Sequence, residues 1–212
     1  MTEDASIQLA VGLGNPGERY QRTRHNAGFW FMEELARGFQ QTFREERKFL
    51  GESARISCGE FDTRLLKPLT FMNRSGQAVQ LAAGYYHIPM SRVLIIHDEI
   101  DLPPGTARIK RGGGHGGHNG LRDVFDHVGK DFWRLRIGVG HPGHKDDVID
   151  YVLEPPRREE QELILESIDD ALAATPRLLA GEFERAMHQL HSNSEGRASD
   201  GGESEPDGGD QL

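Results

Sequence analysis

The chain has 212 residues, enough for one domain with a real core, and no apolar run of roughly 18 residues, which excludes a membrane-spanning helix. Its single cysteine, Cys58, excludes an internal disulfide framework. The acids ahead of the first apolar run are the reverse of a secretion signal, so the cytoplasm is the expected compartment. The formal charge of −9 argues against non-specific coating of nucleic acid; beyond His191, however, six acids face one base and carry −5 of it, so the body holds −4 and has room for a local basic patch.

In chain order, the run 7–13 reads as a buried strand that enters the turn Gly14-Asn15-Pro16-Gly17. A helix is predicted from about Asn26, with Phe29, Trp30, Met32, Leu35 and Phe39 at helical spacing. Residues 53–58 and 61–67 alternate as a hairpin does, joined by Gly59-Glu60. A second helix covers Asn73 to about Tyr86, with Val79, Leu81, Ala82 and Tyr86 on one side. The apolar run 93–97 is a buried strand, 106–110 a short one, 121–128 a short helix and 133–139 a further strand. Beyond Pro155-Pro156 the pattern is helical to Leu190, with Thr175-Pro176 read as an N-cap and first-turn proline that interrupt it. Residues 192–212 are glycine-rich, acidic and nearly devoid of apolar side chains, so they are expected to form a disordered tail after a 1–191 catalytic domain. Strands alternating with helices, with one hairpin inserted, imply an α/β layered domain on a mixed sheet.

Four segments carry candidate chemistry. Gly12-Leu13-Gly14-Asn15-Pro16-Gly17 fits a dinucleotide-binding turn, but a helix follows where that fold needs a second strand, and Pro16 removes an N–H from the turn. The other reading is a tight turn at a strand end, presenting the Asn15 amide to a crevice. His25 lies in Thr23-Arg24-His25-Asn26 just before a helix. Asp98 ends a buried strand, where a carboxylate can accept a histidine N–H, fix the tautomer and leave the other nitrogen as a base; it can equally be a turn residue. Asn73 is either a helix N-cap or an amide in the same crevice, with Phe71 and Met72 beside it. Between Arg111 and Gly120 six of ten residues are glycine. His115 and His118, with His141 and His144, suggest a metal site, but the pairs sit on glycine-rich loops without carboxylate support; a flexible binding loop whose His118-Asn119 end caps the next helix is the alternative. Arg108, Lys110, Arg111, Arg134 and Arg136 supply positive charge beside it.

GLGNPG, TRHNAG, KPLTFMNRSG, HDEIDLPPG, GGGHGGHNGL and RLRIGVGHPG occur in this order, and together they closely resemble bacterial peptidyl-tRNA hydrolase from about Ile7 to His191. The resemblance implies a single three-layer α/β domain, its mixed, mostly parallel, twisted sheet covered by helices on both faces. It implies hydrolysis of the ester between a peptide, or N-acylated aminoacyl group, and the 3′ end of tRNA, rescuing abortive translation without metal or cofactor. By resemblance His25 is the catalytic base, Asp98 its partner, and Asn73 and Asn15 complete the catalytic set. Asn73 orients water and the reacting carbonyl, and Asn15 recognises substrate. Tyr20, Phe71, Met72, His118 and Asn119 match substrate-binding positions, and Lys110 and Arg136 match a basic pair near the tRNA 5′ phosphate. The implied partner is the acceptor stem and 3′ end of peptidyl-tRNA, the expected state a monomer, and no membrane is involved. A hydrolase of small esters or peptides and a noncatalytic RNA-binding relative are the rival classes; cleavage of N-acetyl-aminoacyl-tRNA beside unblocked aminoacyl-tRNA separates them.

Overall fold

The computed structural model describes residues 6–59 and 61–200, with side chains through residue 192. Strands β1 (Leu9–Gly12), β4 (Phe61–Pro68), β5 (Val93–Glu99) and β7 (Trp133–Gly138) form the centre of the sheet, and all their mutual pairings are parallel. On one flank β3 (Gly51–Cys58) and β2 (Arg44–Glu46), and on the other β6 (Ala107–Arg111), add antiparallel edges, giving the order β2-β3-β4-β1-β5-β7-β6. Half of these six pairings, and every central one, are thus parallel. The central strands are buried on both faces, which is why they read as continuous apolar runs rather than alternating ones.

Helices α1 (Ala27–Gly38), α5 (Arg158–Ala180) and α6 (Phe183–Asp200) cover one face, packing on Ala10, Leu94 and Ile96. Helices α2 (Ser75–Tyr85) and α3 (Asn119–Val128) cover the other, packing on Leu9, Val11, Val93 and Ile95. Burying these side chains contributes on the order of 25 cal/mol per Å² of apolar surface, the main term holding the layers together. No helix among the described residues is long and apolar enough to cross a membrane.

The structure departs from the sequence expectations in four places. Helix α5 is unbroken through Thr175-Pro176. The proline costs one helical hydrogen bond, but Thr175 Oγ1 donates to the Ala171 carbonyl at 2.7 Å and the buried Ala174, Leu178 and Leu179 keep the segment docked. The helix ends instead at Gly181, whose φ of +90° is the left-handed geometry of a glycine C-cap. Strand β2 and the short helix α4 (Val148–Leu153) were not among the expected elements: β2 is an arginine and two glutamates, with no apolar alternation to mark it, whereas α4, VIDYVL, is an apolar stretch only six residues long with Val152 as its buried residue. On α2, Val79 and Ala82 are buried, whereas Leu81 points outward, being more than half a turn round the helix from Val79. Helix α6 continues past Ser192 to Asp200, and the remainder of the expected tail, 201–212, lies outside the described residues.

Candidate active site

The crevice lies beyond the carboxyl ends of β1 and β5, where an open α/β sheet offers a site. His25 sits on a 3-10 turn, Arg24–Asn26, that runs into α1. Gly28 brings that turn against the sheet: a Cβ there would lie 2.5 Å from the Leu13 carbonyl oxygen and 2.6 Å from that of Ile96, so only glycine permits the approach. His25 Nδ1 is thereby 2.9 Å from both Asp98 oxygens, and both side chains are buried. With Nδ1–H donated to the carboxylate, Nε2 is the free basic nitrogen. Burial disfavours the imidazolium, but the Asp98 charge and hydrogen bond outweigh it, and the net shift of His25 is upward from 6.5. Burial likewise pushes the Asp98 carboxyl up, yet His25 and His118 prevail and hold it well below the ordinary carboxylate range.

Asp98 serves two histidines. His118 Nε2 is 3.0 Å from Asp98 Oδ1, and its Nδ1 accepts the backbone N–H groups of Gly120 and Leu121 at 3.1 and 3.3 Å. The ring therefore caps α3, as one reading of the loop anticipated, and its tautomer is fixed with the proton on Nε2. Both nitrogens are occupied within the protein, so a substrate meets only the ring's remaining surface. Beneath it His97 is buried, its Nδ1–H donating to the Asp98 carbonyl at 2.7 Å. Burial and then His118 drive the His97 pKa down to about 3, so this ring is neutral.

The asparagines divide into anchored and free. Asn15 Oδ1 accepts the Met72 N–H at 2.8 Å, and the Asn15 backbone exchanges two hydrogen bonds with the Asn26 side chain. Asn73 is exposed on the 3-10 turn Met72–Arg74, which packs against α3; it does not cap α2, and its amide makes no hydrogen bond among the described residues. Asn119 is exposed at the first position of α3, the cap being taken by His118. Met72 points into the core, so its backbone, rather than its side chain, is what reaches the crevice. Tyr20 and Phe71 meet edge to face at 6.5 Å between centroids, with Phe71 54 % exposed, forming an aromatic lip.

The β6–β7 register puts Arg108 opposite Arg136 and Lys110 opposite Arg134, so all four cations share one sheet face. Lys110 is exposed, and Arg136 Nη1 lies 3.7 Å from Glu99. Arg134 is not surface charge: it is buried and donates to the carbonyls of Gly112 and Gly114, bracing the glycine loop. Arg24, the residue before His25, is also buried; its Nη1 reaches the carbonyls of Tyr151, Glu154 and Pro155 at 3.0, 3.2 and 3.2 Å and its Nη2 reaches Glu160 at 2.7 Å. Arg24, Asn26, His97 and the internal role of Arg134 escaped the sequence reading; their place between motif residues was the signal available.

The four-histidine metal set is not assembled: His115 and His141 each accept a nearby glycine N–H, from Gly117 at 3.1 Å and Gly143 at 2.9 Å. Among the described residues the group of ligand-type side chains brought together is His25, Asp98 and His118, with ligand atoms within 4.8 Å of one another. A cation there would need a lone pair on His118 Nε2, the nitrogen that the α3 cap obliges to carry the proton, so these residues do not fit a metal without uncapping the helix.

A family model described as peptidyl-tRNA hydrolase matches residues 9–198. The peptidyl-tRNA hydrolase of Halorhodospira halophila is 54 % identical over 190 residues, covering 89 % of this chain and 98 % of that protein. That of Methylobacillus flagellatus is 52 % identical over 189 residues, covering 89 % and 98 %. The crystal structure of peptidyl-tRNA hydrolase from Acinetobacter baumannii superposes with a TM-score of 0.85 at 50 % identity, over 87 % of this chain and 94 % of that one.

Proposed function

Because the chain belongs to the peptidyl-tRNA hydrolase family, its reaction is hydrolysis of the ester that joins a peptide to tRNA, and we propose that His25 carries it out as general base on a water molecule. The observation that carries this reading is the buried pair of His25 Nδ1 and the Asp98 carboxylate at 2.9 Å. His25 Nε2 takes a proton from water as the water oxygen attacks the ester carbonyl carbon. Asp98 offsets the charge on the imidazolium. When the tetrahedral intermediate collapses, the 3′ ribose oxygen leaves and takes that proton, giving free tRNA and a peptide acid. A positioned base is worth about 10²–10⁴-fold. An amide donor at the oxyanion adds about 10²–10³-fold, and the unpaired amide of Asn73 is the candidate, orienting water and carbonyl together.

Selection falls to the amides. An unblocked aminoacyl ester carries an ammonium, whereas the N-acylated substrate offers a neutral amide. Asn15, with its oxygen tied to Met72, turns its Nδ2 donor outward. That donor suits an acyl carbonyl and leaves a buried ammonium without a partner, which is costly. Tyr20, Phe71, Asn119, the Met72 backbone and the His118 ring line the path of the acyl group and 3′ end. Lys110 and Arg136 contact phosphate of the acceptor stem. The reading is of a monomer working in the cytoplasm, where translation makes its substrate, and of a 1–191 domain that catalyses without the segment beyond it.

The test is single-turnover cleavage of N-acetyl-aminoacyl-tRNA and of unblocked aminoacyl-tRNA. The wild type should cleave the first and spare the second, and folded His25→Ala should cleave neither. Near-normal turnover by the variant would end this mechanism.

A further inference from the structure

We propose that Asn26 is a positioning residue for substrate selection, holding the Asn15 backbone so that the Asn15 amide faces the crevice. Asn15 N–H donates to Asn26 Oδ1 at 2.9 Å, and Asn26 Nδ2 donates back to the Asn15 carbonyl at 3.0 Å. The side-chain amide thus pairs with a backbone as a neighbouring strand would, just where β1 has ended and the ladder no longer supplies partners. Asn26 is 2 % exposed and Asn15 6 %, so both bonds are shielded from water.

The ordinary role for an asparagine in this place is not the one it plays. Asn26 occupies the N-cap of α1, where asparagine is a preferred cap, yet its side chain makes no capping bond to the helix. Both ends of the carboxamide are engaged with Asn15 instead. Asn15 is then fixed from two sides, its backbone by Asn26 and its Oδ1 by the Met72 N–H at 2.8 Å. That leaves Nδ2 as the Asn15 group with no partner among the described residues, and leaves it one direction in which to point. Because Asn26 follows His25 directly, a single turn sets the reacting base and the selecting amide relative to each other.

This inference rests on the reading of Asn15 as the residue that recognises the acylated amine, and the experiment separates the two. The kcat/KM values for N-acetyl-aminoacyl-tRNA and unblocked aminoacyl-tRNA are measured for Asn15→Ala, Asn26→Asp and the double variant, with a pH profile on the blocked substrate. Asn26→Asp keeps the acceptor for the Asn15 N–H but sets a carboxylate oxygen against the Asn15 carbonyl. It should lower kcat/KM for the blocked substrate by about 10- to 100-fold, the scale of a small misplacement, and lower the blocked-to-unblocked ratio at least about tenfold. In the uncharged variant Asn26→Ser, which sets no carboxylate beside His25, the apparent pKa of the profile should stay put, and in the Asn15→Ala background the ratio should fall no further. An unchanged ratio in Asn15→Ala would reject the reading of Asn15. A collapsed ratio in Asn15→Ala beside equal losses for both substrates in Asn26→Asp would overturn the role of Asn26 alone. Should Asn26→Asp not fold, Asn26→Ser carries the same assay. Independently, the Asn15 N–H of the wild type should exchange slowly with deuterium, and fast exchange would overturn the clamp.

Discussion

His118 donates from Nε2 to Asp98 Oδ1 at 3.0 Å while its Nδ1 accepts the first N–H groups of α3, so the carboxylate that pairs with His25 is wired to a helix N-terminus through one imidazole. The helix end favours electron density at Nδ1 and so strengthens Nε2–H as a donor. Part of the negative charge on Asp98 is thereby drawn away from His25. Replacing His118 with alanine removes that competition. The Asp98 charge then acts more fully on His25, whose pKa, already above 6.5, should move further up. The acid limb of kcat/KM against pH should shift to higher pH. Loss of the cap should also lower stability by about 0.5–2 kcal/mol. A limb that stays in place, or moves down, would show that His118 does not tune the base.

Asp98→Asn tests the opposite sign. Burial alone lowers the pKa of His25, and it is Asp98 that brings the net shift above 6.5. Without the carboxylate the burial contribution remains, so the apparent pKa should drop below 6.5. The imidazolium of the transition state also loses its counter-charge, and kcat should fall by about 10²–10⁴-fold. A pH–rate curve superimposable on that of the wild type would exclude the pairing as a source of catalysis.

Gly28→Ala should act at a distance from any substrate. Its Cβ would lie 2.5 and 2.6 Å from two sheet carbonyls, and the start of α1 must shift to make room. Overpacking of this kind costs roughly 1–3 kcal/mol, readable as a lower denaturant midpoint. Activity should fall by much more than stability predicts, because the same shift separates His25 from Asp98. Normal kcat at reduced stability would mean the turn is tethered by other contacts.

Lys110→Ala should raise KM for full tRNA substrates more than for a minimal N-acylated nucleotide ester, and should reduce the slope of log affinity against log salt by about one. Equal effects on both substrates would reject a phosphate contact at this position.

Much of this site was legible because its residues stand at element boundaries that the sequence marks. The apolar run of β5 ends at Asp98, the run of β1 leads to Asn15, and His25 precedes a helix with clear apolar spacing. The invisible parts depend on partners far along the chain. Arg134 reads as one more of the cations beside the glycine loop, because nothing local says that the carbonyls of Gly112 and Gly114 will close over it. Whether His118 donates or accepts depends on the approach of α3 on one side and β5 on the other. Strand β2 is charged throughout and holds its place by edge pairing with β3, which leaves no apolar alternation to read. Thr175-Pro176 matched a helix start, and only the burial of the flanking turns shows why the helix continues.

The stretch from Arg24 to Gly28 gives four neighbouring positions four unrelated jobs. Arg24 ties down the backbone around α4, His25 is the proposed base, Asn26 grips Asn15, and Gly28 lets the helix touch the sheet. Each added residue rotates the downstream side chains by about 120° in a 3-10 turn and about 100° in the α-helix that follows. The segment therefore behaves like a key cut to a fixed phase. A substitution there disables one tooth, whereas a single insertion or deletion misaligns all four together, and no repacking elsewhere can restore them. Length variation in this enzyme should accordingly collect in the loops and beyond α6, and be absent from these five positions.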